Sequence, residues 1–130
     1  MNYPFVYNVD LDDERKLILV SFNGLINKAS ASVGKEMREK AAKMGYGLIL
    51  NFSNCDIEVS LLEAHLWLKE NNYNSNHYQV PTVHVYKPKY EEFFSFLRDS
   101  WINQGANCSS TTSLKKAYNL LDKLKNYQFS

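Results

Sequence analysis

The chain has little cysteine and little glycine, and the few it has are scattered. The two cysteines, Cys55 and Cys108, lie far apart and form no CxxC pair. This spacing argues against a disulfide framework and against a cysteine-based zinc site, and it favours a reduced, cytosolic protein. The 5 glycines form neither GxGxxG nor GxxxxGKS/T, so the sequence lacks the common phosphate-binding loops.

Long apolar runs and an excess of one charge are also missing. No stretch approaches the roughly 20 apolar residues that a membrane-spanning helix needs. Lys and Arg number 15 against 14 Asp and Glu, a net charge of +1, so the charge balance gives no sign of nucleic-acid or membrane-surface binding. The first residues show no signal-peptide pattern. We therefore expect a soluble cytoplasmic protein with no nucleic-acid partner and no membrane span.

The rest of the composition is typical of one globular domain that is rich in aromatic residues. Hydrophobic residues make up 45% of the 130 residues, and aromatic residues make up 14%. A chain of this length can bury roughly two-thirds of its unfolded surface and so form a core without disulfides. No linker, repeat or low-complexity segment divides the sequence, which predicts a single domain over residues 1–130.

The order of the apolar patterns predicts a layered α/β fold. Alternating residues over 6–10 and 16–22, the latter ended by Asn23-Gly24, predict an antiparallel hairpin. Helix and strand patterns then alternate at about 30–44, 47–52, 60–70, 82–86, 90–104, 107–111 and 112–127, with a polar loop at 71–76. The order β-β-α-β-α-β-α-β-α predicts a mostly parallel sheet that begins with the antiparallel hairpin and carries helices packed on it.

The first predicted helix carries one apolar stripe. Val33, Met37, Ala41 and Met44 recur at spacings of four and three, which is the period of a single helix face. Gly45 follows directly and is predicted to end the helix.

The most site-like feature is the segment that follows the third predicted strand. The apolar run 47–52 breaks into a polar segment, and Ser60 and Glu63 form a capping-box pattern that predicts a helix start at Ser60. Ligands and partners of open α/β folds usually bind where a strand leads into a helix. We therefore predict a loop that meets a protein partner through the following residues: Ser53, Asn54, Cys55, Asp56, Glu58 and Ser60.

No catalytic or metal-binding constellation is recognisable in the sequence. His65, His77 and His84 have no i,i+4 histidine partner, and no carboxylate or cysteine completes a ligand set around them. His84 alternates with two valines, so its ring is predicted to lie on the opposite strand face as a core imidazole. Cys55 is interpreted as an ordinary thiol in an exposed loop. We predict no enzyme, no metal and no cofactor, because an enzyme would need His84 or His65 to converge with Cys55 or a carboxylate.

Aromatic residues of the third predicted helix allow two interpretations. Phe93, Phe94, Phe96 and Trp101 could line a pocket for an apolar ligand, yet aromatic residues at helical spacing more often form a plain core. Phe96 falls off the stripe that contains Phe93, so it either is deeply buried or leaves an apolar surface exposed. The core is the favoured interpretation, and a ligand pocket and a homodimer contact are the alternatives.

The order of elements resembles one known group of proteins. With the segment 22–24 (FNG) closing the second strand and a final helix around 113–117, nearly the whole chain resembles the SpoIIAA-like group of STAS domains. That group resembles bacterial anti-sigma-factor antagonists and shares its fold type with Sec14-like lipid-binding proteins. The antagonists carry Asp-Leu-Ser at a strand end and a later Asp-Ser-Ser-Gly segment whose first serine is phosphorylated. The matching segments here are 51–53 (NFS) and 59–62 (VSLL), so Ser60 matches the switch serine while its neighbours differ.

The resemblance implies a function in binding. Members of the group are implied to be small cytoplasmic proteins without catalytic machinery. We therefore interpret the chain as a non-enzymatic regulatory module that binds a protein partner at the loop between the third strand and the second helix. The alternative is a carrier or sensor of a lipid-like apolar small molecule, held near the four aromatic residues named above.

Overall fold

A five-stranded mixed sheet with helices on both faces forms the fold. The structure, a computed structural model, describes residues 5–70 and 73–128, except for the side chains of residues 68, 127 and 128. The strands are β1 (Phe5–Asp12), β2 (Leu17–Ile26), β3 (Gly47–Ile57), β4 (Thr82–Tyr86) and β5 (Cys108–Thr111). The helices are α1 (Lys28–Met44), α2 (Leu61–Glu70), α3 (Ser75–Gln79), α4 (Glu91–Asn103) and α5 (Leu114–Gln128), and a 3-10 turn (Pro88–Tyr90) precedes α4.

The strands follow one another across the sheet in the order β1-β2-β3-β4-β5. β1 and β2 form an antiparallel hairpin, and all other neighbours pair in parallel. Each parallel connection crosses a face of the sheet through a helix, as such crossovers require. The predicted α/β fold class, with its N-terminal antiparallel hairpin, is therefore confirmed. Within residues 5–70 and 73–128, no helix has the length and apolar character needed to cross a bilayer.

Alternation of side chains along the strands divides the core into two layers. One layer, which includes Leu50 and Phe94, lies between the sheet and the helices α1 and α4. The other layer, which includes Ile49 and Leu121, lies between the sheet and α5. His84 lies in the α1/α4 layer while its valine neighbours face α5, so the predicted side of its strand is confirmed.

The ends of α1 are set by caps. The Asn27 side chain accepts a hydrogen bond from Ser30 N at 3.0 Å, and the Ser30 hydroxyl accepts one from Asn27 N at 3.0 Å. These bonds start the helix at Lys28, slightly earlier than the predicted start at Ser30 or Ser32. Gly45 ends the helix as predicted, in the left-handed conformation with φ of 71°.

The buried face of α1 differs from the predicted stripe. Ser30, Gly34, Arg38 and Ala41 are buried, whereas Met44 at the end of the predicted stripe is 38% exposed. Val33 and Met37 of the predicted stripe still pack against the core and are partly buried. The helix is therefore turned by about one residue relative to the apolar stripe. As a result Arg38 points toward the sheet.

The second and third strands are longer than predicted. β2 continues through Asn23-Gly24 to Ile26, and β3 continues through the predicted loop to Ile57. The two strands stay paired in parallel to these ends. The backbone hydrogen bonds of this pairing keep the segment in a strand although its side chains are polar. At one point Phe52 and Ser53 of β3 lie opposite Phe22 alone. This β-bulge reverses which side chains of β3 face each layer.

A short helix replaces part of the polar loop predicted at 71–76. Residues 71 and 72 lie outside the described residues, and α3 follows them. Asn74 caps α3 by accepting a hydrogen bond from His77 N at 3.4 Å, while His77 Nδ1 accepts one from Asn74 N at 2.9 Å. The other ring nitrogen of His77 therefore carries the proton and donates to Glu39 Oε1 of α1 at 3.1 Å. This histidine ties α3 to α1.

Candidate functional site

Most of the predicted partner residues belong to β3 rather than to a loop. Asn54 and Asp56 are exposed, and Ser53 is half-buried. Cys55 is only 1% exposed and belongs to the α1/α4 layer, because the bulge turns it inward. Burial raises the pKa of the Cys55 thiol to about 11. The predicted exposed position of Cys55 is therefore wrong, and in this conformation the thiol cannot meet a partner.

Asp56 fastens the end of β3 to the connection between β4 and α4. Its carboxylate accepts hydrogen bonds from Lys87 Nζ at 3.0 Å and from the Tyr90 hydroxyl at 3.1 Å. Lys89 Nζ lies 3.5 Å away, and the Tyr90 hydroxyl itself accepts a hydrogen bond from Ile57 N at 3.1 Å. The hydrogen bonds from Lys87 and Tyr90 lower the pKa of Asp56. Although exposed, this carboxylate is engaged within the chain.

Ser60 caps α2, as the sequence predicts. Its hydroxyl accepts a hydrogen bond from Glu63 N at 3.1 Å, an interaction that contributes about 1 kcal/mol to stability. The leucines that follow are exposed: Leu61 by 37%, Leu62 by 70% and Leu66 by 47%. Leu62 and Leu66 lie one turn apart on the same helix face. We use the name α2 surface for Glu58, Ser60, Leu61, Leu62 and Leu66.

Three of the four predicted pocket residues border one cavity. Phe93, Phe94 and Trp101 of α4 line it. Phe96 does not line it and is 47% exposed, so the core interpretation is wrong for this residue. Phe96 leaves the stripe because the helix turns it toward solvent, away from the face that packs on the sheet.

This cavity lies between the sheet and the helices α1, α2 and α4, and its volume is about 80 Å³. Phe52 and His84 form its sheet side. Ile26, Trp67 and Phe93 line it as well and are partly exposed, so they form a rim through which the cavity reaches the surface. We refer to it as the α1/α4 cavity.

Arg38 stands in the wall of the α1/α4 cavity and is 2% exposed. Its Nη1 donates to the Gly34 carbonyl at 3.4 Å, and its Nη2 donates to His84 Nε2 at 3.2 Å. The guanidinium carbon lies 4.0 Å from the centre of the Trp101 ring and 5.5 Å from that of Tyr73. All aspartates and glutamates of the chain are among the described residues, and none forms an ion pair with Arg38 within 4.0 Å.

His84 next to Arg38 is neutral. Burial, and then the positive charge of Arg38, lower the pKa of His84 to about 3. Because a guanidinium only donates hydrogen bonds, Nε2 of His84 must accept, and Nδ1 carries the proton. The backbone of Ser109 forms a further hydrogen bond with this ring. His84 thus orients Arg38 without compensating its charge.

The positive charge of Arg38 has only neutral partners among the described residues. Removing such a cation from water costs several kcal/mol. The cation–π contact with Trp101 offsets about 2 kcal/mol of this desolvation cost. Hydrogen bonds to neutral acceptors offset a further part of it. Burial lowers the pKa of Arg38, yet a guanidinium stays protonated. The cavity therefore combines an aromatic lining with one uncompensated positive charge.

A larger cleft of about 570 Å³ lies at the opposite end of the sheet, where β3 and β4 begin. Lys16, Lys43 and Lys125 border it. Lys125 Nζ donates to the carbonyls of Arg15 and Lys16 at 2.7 and 2.8 Å, so this charge stabilises the fold. No polar side chain among the described lining residues is buried, and the cleft lacks the preorganised groups of a specific site.

The described residues bring no metal-ligating or nucleophilic set together. Within 5–70 and 73–128, no group of three or more His, Cys, Asp or Glu side chains could hold a metal ion. His84 meets Arg38 and the Ser109 backbone rather than a cysteine or a carboxylate. Burial also raises the pKa of Cys108 to about 11, so at neutral pH both cysteines are protonated thiols of low reactivity.

Arg38, Phe52 and Tyr73 line the cavity although the sequence does not predict them there, and His84 is predicted only as a core imidazole. A signal for Arg38 does exist in the sequence. Ser30, Gly34 and Arg38 recur at a spacing of four, and a charged residue in line with two small ones lies on the face that approaches its neighbours most closely.

The fold is similar to that of a known regulatory protein. A crystal structure of an anti-sigma factor antagonist from Mycobacterium paratuberculosis superimposes with a TM-score of 0.56 over 91% of this chain and 94% of the other, at 13% sequence identity. No protein-family model matches the chain, and no curated protein sequence matches it. At this level of identity the similarity defines the fold, and the expected STAS-type architecture is confirmed.

Proposed function

We propose that the chain is a non-enzymatic regulatory module that binds a protein partner through the α2 surface. The observation that carries this proposal is the exposure of Leu61, Leu62 and Leu66 directly after the Ser60 cap. Exposed leucines in a cluster are typical of an interaction site rather than of a solvated helix face. The similarity to an anti-sigma factor antagonist supports a regulatory role of this kind.

The charged and polar residues near these leucines fit the rim of such an interface. Asn54, Asp56 and Glu58 are exposed at the end of β3, and polar rims commonly surround apolar contacts. Asp56 is held in place by Lys87 and Tyr90, so the rim is presented in a fixed geometry. Cys55 is buried in the α1/α4 layer and is not part of this rim.

Affinity capture with matched leucine and isoleucine variants tests the proposal. Leu66 and Ile102 are both 47% exposed and both lie on helices, so Leu66→Ser and Ile102→Ser remove comparable apolar side chains from two different surfaces. We expect wild type and Ile102→Ser to retain the same protein from native lysate and Leu66→Ser to lose it, with a Kd at least about tenfold higher. Equal capture by all three proteins would contradict the proposal.

A second function, the carriage or sensing of an apolar small molecule, is favoured by one further observation. Phe93, Phe94 and Trp101 line the α1/α4 cavity together with Phe52, and pockets for small molecules are usually apolar with a few polar groups. Native mass spectrometry tests this function. A co-purifying small molecule, or a mass shift with a fatty-acid probe, would support it, and an unchanged mass with every probe would contradict it.

A further inference from the structure

We infer that the α1/α4 cavity binds a small organic carboxylate, whose charge pairs with Arg38 and whose apolar body lies against the aromatic lining. This inference rests on the second function proposed above, the binding of a small molecule.

The first step is the position of the charge. Arg38 is only 2% exposed, and it lines the cavity directly. Buried charges in proteins are normally paired with an opposite charge. Here no aspartate or glutamate lies within ion-pair distance, although all of them are described. An anion in the cavity would supply the missing partner.

The second step is the preorganisation of the guanidinium. Gly34 and His84 each accept one hydrogen bond from it, the Tyr73 side chain forms another, and the guanidinium carbon lies 4.0 Å from the centre of the Trp101 ring. A guanidinium has more N–H groups than these contacts with the described residues use. An anion would therefore meet the edge of a side chain that is already oriented, which is the arrangement that binds carboxylates in a bidentate manner.

The third step is the choice of a monoanion. Arg38 is the only cation among the described residues that line the cavity. One carboxylate neutralises it, whereas a dianionic phosphate would bring a second, unpaired charge among aromatic side chains.

The fourth step is the size of the ligand. A volume of about 80 Å³ limits the part of a ligand that the cavity encloses to a carboxylate of a few heavy atoms. A longer apolar tail would extend toward the partly exposed rim at Ile26, Trp67 and Phe93. The ligand class is thus a short-chain monocarboxylate or the head of a longer fatty acid.

The test compares propionate with propionamide, which has nearly the same shape but no charge. Each is titrated into the full-length, isotopically labelled protein while amide chemical shifts are followed by NMR. We expect shifts around the cavity and a Kd for propionate at least about tenfold lower than for propionamide. In Arg38→Met this preference should disappear, and in Arg38→Lys, which keeps the charge but not the fork, it should persist in weaker form.

The outcomes separate this inference from the function on which it rests. Equal binding of propionate and propionamide would overturn the role of Arg38 and leave the small-molecule function standing. If none of the four compounds propionate, propionamide, hexanoate and hexanamide binds, both the role of Arg38 and the small-molecule function are overturned. Tighter binding of methyl phosphate than of propionate would overturn the choice of a carboxylate. If Arg38→Met fails to fold, Arg38→Lys and the comparison of propionate with propionamide on wild type still test the role of Arg38.

Discussion

At the residue scale, the contact between Arg38 and His84 governs the charge of the α1/α4 cavity. The guanidinium stays positive, and its charge, added to burial, keeps the imidazole neutral. The neutral ring in turn accepts a hydrogen bond from the guanidinium at 3.2 Å. Neither group changes its protonation near neutral pH, so the cavity wall keeps one fixed positive charge. Burial, and then this contact, lower the pKa of His84 and so make the folded protein sensitive to acid.

A variant of His84 measures this acid sensitivity. In the unfolded chain the imidazole titrates near its ordinary pKa of 6.5, whereas in the folded protein its pKa is about 3. Protons therefore favour the unfolded state as the pH falls through this window, and the stabilisation is complete only above pH 6.5. Between pH 7 and pH 4, we expect the free energy of unfolding of wild type to fall. In His84→Gln this fall should be smaller by about 3 kcal/mol.

Urea unfolding at both pH values provides the measurement, and wild type is the control. Carboxylates contribute an acid dependence of their own, but they are the same in both proteins, so the difference isolates His84. Identical pH dependence in the two proteins would show that His84 binds protons equally well in the folded and unfolded states.

At the scale of elements, the bulge in β3 explains which parts of the site the sequence could predict. The cap at Ser60 follows from a local hydrogen bond that the sequence displays. The inward turn of Cys55 depends on one extra residue in β3 opposite Phe22, and no local pattern marks that residue. Likewise, the burial of Arg38 depends on how closely α1 approaches the sheet, which its apolar stripe does not reveal.

Two glycine substitutions test how closely helices approach β3. A Cβ at Gly47 would lie 2.8 Å from Lys125 Cε and 2.9 Å from Leu121 Cδ1, and neither can retreat easily because Leu121 is fully buried and Lys125 is hydrogen-bonded. We expect Gly47→Ala to lower the free energy of unfolding by about 1–3 kcal/mol.

The matched change in α1 should have the opposite sign. A Cβ at Gly34 would make ordinary contacts, at 3.5 Å to Arg38 Nη1 and 3.8 Å to Leu50 Cδ1. Gly34→Ala removes a residue that disfavours helices, so we expect stabilisation by about 0.5–1 kcal/mol. Urea unfolding of both variants checks the pair. Equal effects of the two changes would mean that α5 is not packed on Gly47 as described.

At the scale of the whole molecule, the predicted architecture is confirmed because it depends on many residues at once. The alternation of strand and helix patterns fixes the parallel sheet, and the short 13–16 turn fixes the antiparallel hairpin. An error of a few residues at one end leaves this order unchanged. The site is less predictable, since it depends on which side chains meet across the sheet. The result is a STAS-type fold in which α2 exposes the α2 surface on one face. Its other face, with Ala64 and Trp67, borders the charged α1/α4 cavity.

The central claim is that a protein partner binds at the α2 surface, and a pair of serine caps tests it most directly. The hydroxyls of Ser60 and Ser113 each accept a hydrogen bond from the N–H three residues later, at 3.1 and 3.2 Å. Aspartate is also a good N-cap, so Ser60→Asp and Ser113→Asp should both keep their helices and add one negative charge.

The measurement is the Kd of the captured partner for wild type and both variants. We expect Ser60→Asp to weaken binding by at least about tenfold, whereas Ser113→Asp, at the start of α5, should bind like wild type. Unchanged binding by Ser60→Asp, or equal weakening by both variants, would contradict a partner site at the start of α2.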